Sequence, residues 1–102
     1  MIIVTMTKNE LNEVPLGKSK LSINPFIHAS TIELFPRILH KFINQPDLFL
    51  VYIDESKLNA MVKFEDKNNN QLYYPHIYGH IDKDSVISIV PLIIKEGIWV
   101  RS

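Results

Sequence analysis

The segment Phe26-Ile27-His28-Ala29-Ser30-Thr31 decides the fold, because a short apolar run here carries one histidine and leads into a helix start. Residues 26–29 are typical of a β-strand. The next residues, Ser30-Thr31-Ile32-Glu33, have the form of a capping box. In such a box the serine hydroxyl accepts from a helical amide, and the glutamate side chain accepts from the amide of the serine. The sequence therefore predicts a strand that ends at a helix N-terminus, where backbone amides favour an anion or an electron-rich oxygen.

The main helix is predicted to follow this start. An apolar stripe at helical spacing consists of Ile32, Phe35, Leu39 and Phe42. Pro36 would remove a hydrogen bond from the interior of such a helix. Either the helix is kinked at the proline, or its first turn begins near Leu34 or Phe35.

Strands are predicted both before and after this helix. β-branched and aromatic runs indicate strands at residues 2–6, 48–53, 61–64, 71–74, 85–90 and 98–100. The run 48–53 is almost continuously apolar, which is typical of a central strand covered on both faces. Residues 8–13 favour one or two helical turns, and residues 15–25 an irregular loop. The pattern predicts one α+β domain over residues 1–102, with a small mixed, mostly antiparallel sheet and one main helix.

The composition narrows the classes of function. Eleven basic and eleven acidic side chains leave no net charge, which disfavours bulk nucleic-acid binding. With no cysteine there is no thiol nucleophile, thiolate metal site or disulfide, and the chain suits a reducing compartment. No secretion leader is recognisable, and the longest apolar run, 86–94, falls short of the roughly 18 residues needed to span a bilayer. We expect a cytoplasmic protein without a membrane partner.

Candidate site residues lie in three places. His28 belongs to the opening segment, Glu65 ends a predicted strand, and Tyr74-Pro75-His76-Ile77-Tyr78-Gly79 holds polar-tipped rings typical of a small-molecule pocket. A core histidine bonded to backbone is the alternative for His28, and a solvated hairpin flank the alternative for Glu65. No metal is expected, because Pro75 and Gly79 argue against the helix that would align His76 with a ligand four residues later.

These motifs, with the final strand 86–92, resemble the bacterial domain-of-unknown-function family 952 over nearly the whole chain. That family is similar in fold to ADP-ribosyltransferases and RNA 2'-phosphotransferases. The resemblance implies an ADP-ribosyltransferase-like fold with NAD or a related nucleotide as substrate. It implies catalytic roles for Glu65 and His28, and nucleotide binding by His28, Ser30, His76 and Tyr78.

One departure from the family pattern separates two hypotheses. Members usually carry a Tyr-His pair in the first strand, where this chain has Ile3-Val4, and the following tryptophan is Leu11. The first hypothesis is an enzyme in which Glu65 bonds a ribose hydroxyl and stabilises an oxocarbenium-like transition state. The second is a noncatalytic module of the same fold that binds a nucleotide or a partner. A third hypothesis is an interaction protein that dimerises through an edge such as residues 98–100, with histidines that are only structural. We expect a monomer or a weak dimer.

Overall fold

The chain folds into short strands and short helices. The computed structural model describes residues 1–100. The strands are Ile2–Thr7 (β1), Ile27–His28 (β2), Ser30–Thr31 (β3), Leu48–Ile53 (β4), Met61–Glu65 (β5), Tyr74–Tyr78 (β6), Val86–Pro91 (β7), Ile93–Lys95 (β8) and Ile98–Val100 (β9). They form three sheets, with the orders β3-β1-β4-β7, β2-β6-β5 and β8-β9. The pairings between these strands are antiparallel, so the predicted α+β class with mostly antiparallel sheets is confirmed.

The helices are few and short. The α-helices are Lys8–Leu11 (α1) and Lys18–Ile23 (α2), and the 3₁₀ helices are Phe35–Lys41, Glu55–Lys57 and Lys83–Ser85. A capping box starts α1, since the Thr7 hydroxyl accepts from the Glu10 amide and the Glu10 carboxylate accepts from the Thr7 amide. The helical turns predicted for residues 8–13 are confirmed, whereas the loop predicted for 15–25 is wrong where α2 lies. Within residues 1–100 no helix has the length and apolar character needed to cross a bilayer.

Two apolar clusters lie on opposite faces of the four-stranded sheet. The first packs this sheet against the three-stranded sheet and includes Ile2, Val4, Met6, Val51, Ile53, Ile27 and Ile77. The second packs the other face against the first 3₁₀ helix and includes Ile3, Leu50, Phe35 and Leu39. Each fully buried aliphatic side chain contributes about 1.5 to 3 kcal/mol of transfer free energy. Because β4 supplies residues to both clusters and lies between β1 and β7, its prediction as the central strand is confirmed.

The segment 26–31 belongs to both of the larger sheets. β2 pairs with β6, whereas β3 pairs with β1. Ala29 lies between them, and its amide donates to the carbonyl of Pro75 at 3.0 Å. The capping box predicted at Ser30 is therefore wrong, because pairing with β1 holds this backbone extended. The Ser30 hydroxyl donates instead to the carbonyl of Thr31, at 2.7 Å.

The predicted main helix is a 3₁₀ helix over Phe35–Lys41. Pro36 lies in its first turn, where a missing amide costs no intrahelical hydrogen bond. The amide of Leu34 donates to the side chain of Thr31 at 3.2 Å, so the chain turns between β3 and the helix. Of the two alternatives raised by the proline, a start near Phe35 is confirmed. Phe35 and Leu39 are buried on the apolar stripe, as predicted.

The hairpin between β5 and β6 fixes the position of Glu65. The Asp66 carboxylate accepts from the amides of Asn70 at 3.1 Å and Gln71 at 2.7 Å, which closes the turn. The second strand consequently begins at Tyr74, three residues later than predicted. In the resulting register Glu65 pairs with Tyr74 at the end of β5, where the sequence had placed it.

Candidate functional site

Strand register brings the predicted histidines and Glu65 to one face of the three-stranded sheet. His28 pairs directly with His76 across β2 and β6. Lys63 is the residue of β5 that pairs with His76, so Glu65 reaches the same imidazole diagonally, two positions along the strand. Because side chains alternate along a strand, Ile77 points to the opposite face and is fully buried in the core.

One oxygen of the Glu65 carboxylate accepts two hydrogen bonds. The Tyr78 hydroxyl donates to Oε1 at 2.5 Å, and Nδ1 of His76 lies 2.8 Å from the same atom. The second oxygen, Oε2, lies 3.7 Å from Nζ of Lys67. The bond from Tyr78, followed by the bond from His76, lowers the pKa of Glu65 to about 2. The same contact with Glu65 raises the pKa of Tyr78. The carboxylate is therefore ionised at neutral pH, with Oε1 accepting two hydrogen bonds and Oε2 facing the exposed ammonium of Lys67.

His76 is the buried member of the group. Its side chain is 3% exposed, and its ring stacks on Phe26 with centroids 4.1 Å apart and an interplanar angle of 21°. Because an ionised carboxylate only accepts hydrogen bonds, we assign the proton of the neutral imidazole to Nδ1. Nε2 then carries a lone pair, makes no hydrogen bond within residues 1–100 and is not sealed from solvent.

His28 is exposed, which contradicts the alternative of a core histidine. Its ring meets the rings of Phe26 and His76 edge to face, with centroids 4.8 and 5.3 Å away. Partial desolvation lowers the pKa of His28, and electrostatic interactions with the ring of His76 and with the charges of Lys41 and Lys20 lower it further. The helix N-terminus predicted next to His28 is absent, because β3 follows it. Within the described part of the chain its imidazole makes no side-chain hydrogen bond.

An open cleft of about 690 Å³ connects these groups. Four predicted site residues line it, namely His28, Ser30, Glu65 and His76. The side chain of Ser30 is 1% exposed and its hydroxyl is bonded to its own segment. Tyr78 is not among the lining residues and meets the site through its bond to Glu65. The structure thus brings the predicted residues together, with Ser30 and Tyr78 in supporting positions.

Other lining residues were missed by the sequence analysis. The cationic ones are Lys20, Arg37, Lys41 and Lys67. They come from α2, the first 3₁₀ helix and the β5–β6 hairpin, so no local pattern in the sequence joins them. Phe26, which stacks on His76 but does not line this cleft, was also missed. Its spacing of two residues from His28 on a strand was the signal, since such residues share a face.

The first strand, β1, presents an apolar side chain and a threonine to the cleft. Ile3 and Thr5 line it, whereas Val4 is 1% exposed and belongs to the core between the two larger sheets. No histidine of β1 therefore faces the cleft. Within residues 1–100, no group of three or more histidine, aspartate or glutamate side chains lies close enough to hold a metal ion.

The fold is similar to that of a solved bacterial protein. The X-ray crystal structure of protein CC0527 from Caulobacter crescentus superposes with a TM-score of 0.76 and 19% sequence identity, covering 97% of this chain and 92% of that one. A double mutant of the same protein gives a TM-score of 0.76 and 18% identity over the same shares of the chains. At these identities the likeness establishes the fold. The chain has no significant match among curated proteins.

The family assignment rests on the sequence itself. A family model described as "Protein of unknown function (DUF952)" matches residues 5–89. The match includes the three segments that supply His28, Glu65 and His76, together with β4 and most of β7. Because it covers well over half of the sequence, the chain belongs to this family of proteins of unknown function, DUF952.

Proposed function

We propose that the protein is an ADP-ribosyltransferase-like enzyme that acts in the cleft on NAD or a related nucleotide. One observation carries the proposal. The Glu65 carboxylate is anchored through Oε1 by two donors, while within residues 1–100 Oε2 contacts one exposed lysine beside an open cleft. A carboxylate fixed in this way is suited to accept a hydrogen bond from a ribose hydroxyl and to stabilise positive charge that develops on the sugar.

The reaction would break the bond between the ribose and its leaving base. The base leaves with the bonding electrons, and an acceptor hydroxyl or water adds to the ribose carbon with loss of a proton. Glu65 stabilises the oxocarbenium-like transition state between these events. His28 positions the nucleotide beside the reacting ribose, and the acceptor proton passes to solvent in the open cleft. His76 holds Glu65 and presents Nε2 to the nucleotide.

The dimensions of the cleft support a ligand of this size. Sites for small molecules and cofactors typically enclose about 300 to 1,000 Å³, and the cleft volume of about 690 Å³ lies within that range. Its lining combines apolar surface from Ile3 and Phe42 with the polar groups of Glu65 and the two histidines. A mixed lining of this kind suits a ligand that has a flat base, a sugar and charged groups.

A noncatalytic nucleotide- or partner-binding module of the same fold is the second candidate. It is favoured by the first strand, in which Val4 occupies the position of the histidine implied by the resemblance and lies in the core, while Ile3 and Thr5 line the cleft. Such a module would bind the nucleotide through the same residues without breaking a bond. Binding and turnover therefore have to be measured separately.

Incubation of the purified protein with NAD, followed by chromatographic measurement of released nicotinamide, tests the enzyme. We expect release by the natural protein and its loss in Glu65→Gln. Glu33→Gln is the matched control, because Glu33 is exposed and does not line the cleft. Binding is followed in parallel by NMR of His28 and His76 at millimolar NAD. Shifts without turnover would support the binding module, and unshifted signals with no turnover would refute both candidates.

A further inference from the structure

The cleft concentrates positive charge that the chain as a whole lacks. Eleven basic and eleven acidic side chains balance over the sequence. Among the described residues 1–100, however, the cleft is lined by four lysine or arginine side chains and one carboxylate, that of Glu65. A cleft with walls of one charge raises the local concentration of ligands of the opposite charge. The distribution of charge therefore favours an anionic ligand, despite the neutral composition.

Within residues 1–100, two of these cations have no acidic partner. Lys20 lies 3.3 Å from Glu10, and Lys67 lies 3.7 Å from Glu65. Arg37 and Lys41, in contrast, form no salt bridge within residues 1–100. Both are exposed on the 3₁₀ helix that forms one side of the cleft. Their donors are therefore available to a ligand.

From this arrangement we infer that the cleft binds the phosphate or diphosphate of its ligand between Arg37, Lys41 and His28, with the sugar directed to Glu65. The inference rests on the proposed function for the sugar, but the anion site has its own observations. The charges of Lys41 and Lys20 act on the His28 ring, which places an electropositive region at that imidazole. The Glu65 carboxylate repels phosphate and accepts from hydroxyls, so the two ends of a nucleotide have separate positions. Arginine binds phosphate through paired donors, and lysine acts as a point charge.

Inorganic pyrophosphate is the probe, because it has neither sugar nor base. Its affinity is measured by calorimetry for the natural protein and for the double variant Arg37→Gln, Lys41→Gln. We expect binding at least about tenfold weaker in the double variant, a difference of about 1.4 kcal/mol. Both substitutions are at exposed positions, and NMR spectra of each protein verify the fold. Raising the ionic strength should weaken binding to the natural protein, because salt screens exposed charges beyond about 10 Å at 0.1 M.

Lys57→Gln with Lys83→Gln is the matched control, since both lysines are exposed, neither lines the cleft and the loss of charge is equal. We expect the control to bind pyrophosphate as the natural protein does, and Glu65→Gln to bind it at least as well. In NMR titrations the His28 signals should move and the pKa of His28 should rise, because a bound anion favours imidazolium. Equal affinity in the natural protein and the cleft variant, or an equal loss in the control, would overturn the inference.

The outcomes separate this inference from the proposed function. If NAD is consumed with the expected dependence on Glu65 while pyrophosphate does not bind, the anion site is wrong and the enzyme stands. If pyrophosphate binds with the expected dependence on Arg37 and Lys41 while NAD is neither bound nor consumed, the anion site stands and the proposed function fails.

Discussion

Replacement of Tyr78 by phenylalanine should raise the pKa of Glu65. The ordinary pKa of a glutamate is 4.5, and in this protein it falls to about 2, with the hydrogen bond from Tyr78 as the largest cause and the bond from His76 as the next. The variant loses the first bond and keeps the second. We therefore expect a pKa above about 2 and still below 4.5, measured by NMR titration of the side-chain carboxyl carbon. Tyr73→Phe is the control, because Tyr73 is 54% exposed and makes no hydrogen bond to Glu65.

The same change should alter how stability depends on pH. Because the pKa of Glu65 is lower in the folded protein than in the unfolded chain, its contribution to the free energy of unfolding is present above about pH 4.5 and is lost as pH falls toward 2. In Tyr78→Phe the loss should be complete at a higher pH, as urea denaturation at several pH values would show. Conversely, Glu65→Gln should bring the raised pKa of Tyr78 back toward 10.0, followed by tyrosinate absorbance. A carboxyl pKa that stays at about 2 in Tyr78→Phe would refute the assigned hydrogen bond.

Three further changes test other parts of the structure. In an NMR titration the pKa of His28 should lie below 6.5, and Lys41→Gln should raise it, because the variant removes a nearby positive charge. A pKa at or above 6.5 in the natural protein would contradict the effect of desolvation and of the neighbouring cations on His28. Ile77→Ala should lower the free energy of unfolding by about 2 to 5 kcal/mol in urea, because the side chain is fully buried. Ile87→Ala, at a site 56% exposed, should change it by less than about 0.5 kcal/mol, and equal losses would be inconsistent with the core. Gly17→Ala should destabilise the folded protein by about 1 to 3 kcal/mol, because φ is +95° and the new methyl would lie 2.5 Å from a buried isoleucine. A midpoint of thermal unfolding equal to that of the natural protein would count against this backbone conformation.

Elements with a strong local signal were predictable. The apolar run of β4 and the alternation of β5 gave strands with nearly the correct bounds, and Pro36 marked the first turn of its helix. Ser30 shows where local reasoning fails, because a residue suited to cap a helix instead pairs with a strand that lies far away in sequence. Tyr74 shows the same for a strand start, since the Asp66 carboxylate closes a longer turn than the asparagine run suggested.

The site was predictable in residue type but not in arrangement. Glu65 and His76 stood out as a carboxylate at a strand end and a histidine among aromatics. Their hydrogen bond follows from strand register, which the hairpin turn sets and the pattern of the sequence does not specify. The position of Arg37 and Lys41 in the cleft could not be predicted from the sequence for a related reason. A short helix with exposed basic residues is ordinary, and only the tertiary structure shows that it lines the same cleft as Glu65.

At Ala29 the chain passes directly from the three-stranded sheet into the four-stranded sheet. A rotation of one sheet against the other would change the backbone here, directly between His28 and Ser30, which both line the cleft. The Ala29 amide, which donates to the carbonyl of Pro75, therefore lies in the wall of the cleft at a junction of the two sheets. The rate of hydrogen–deuterium exchange at that amide would consequently report how often this part of the cleft opens locally.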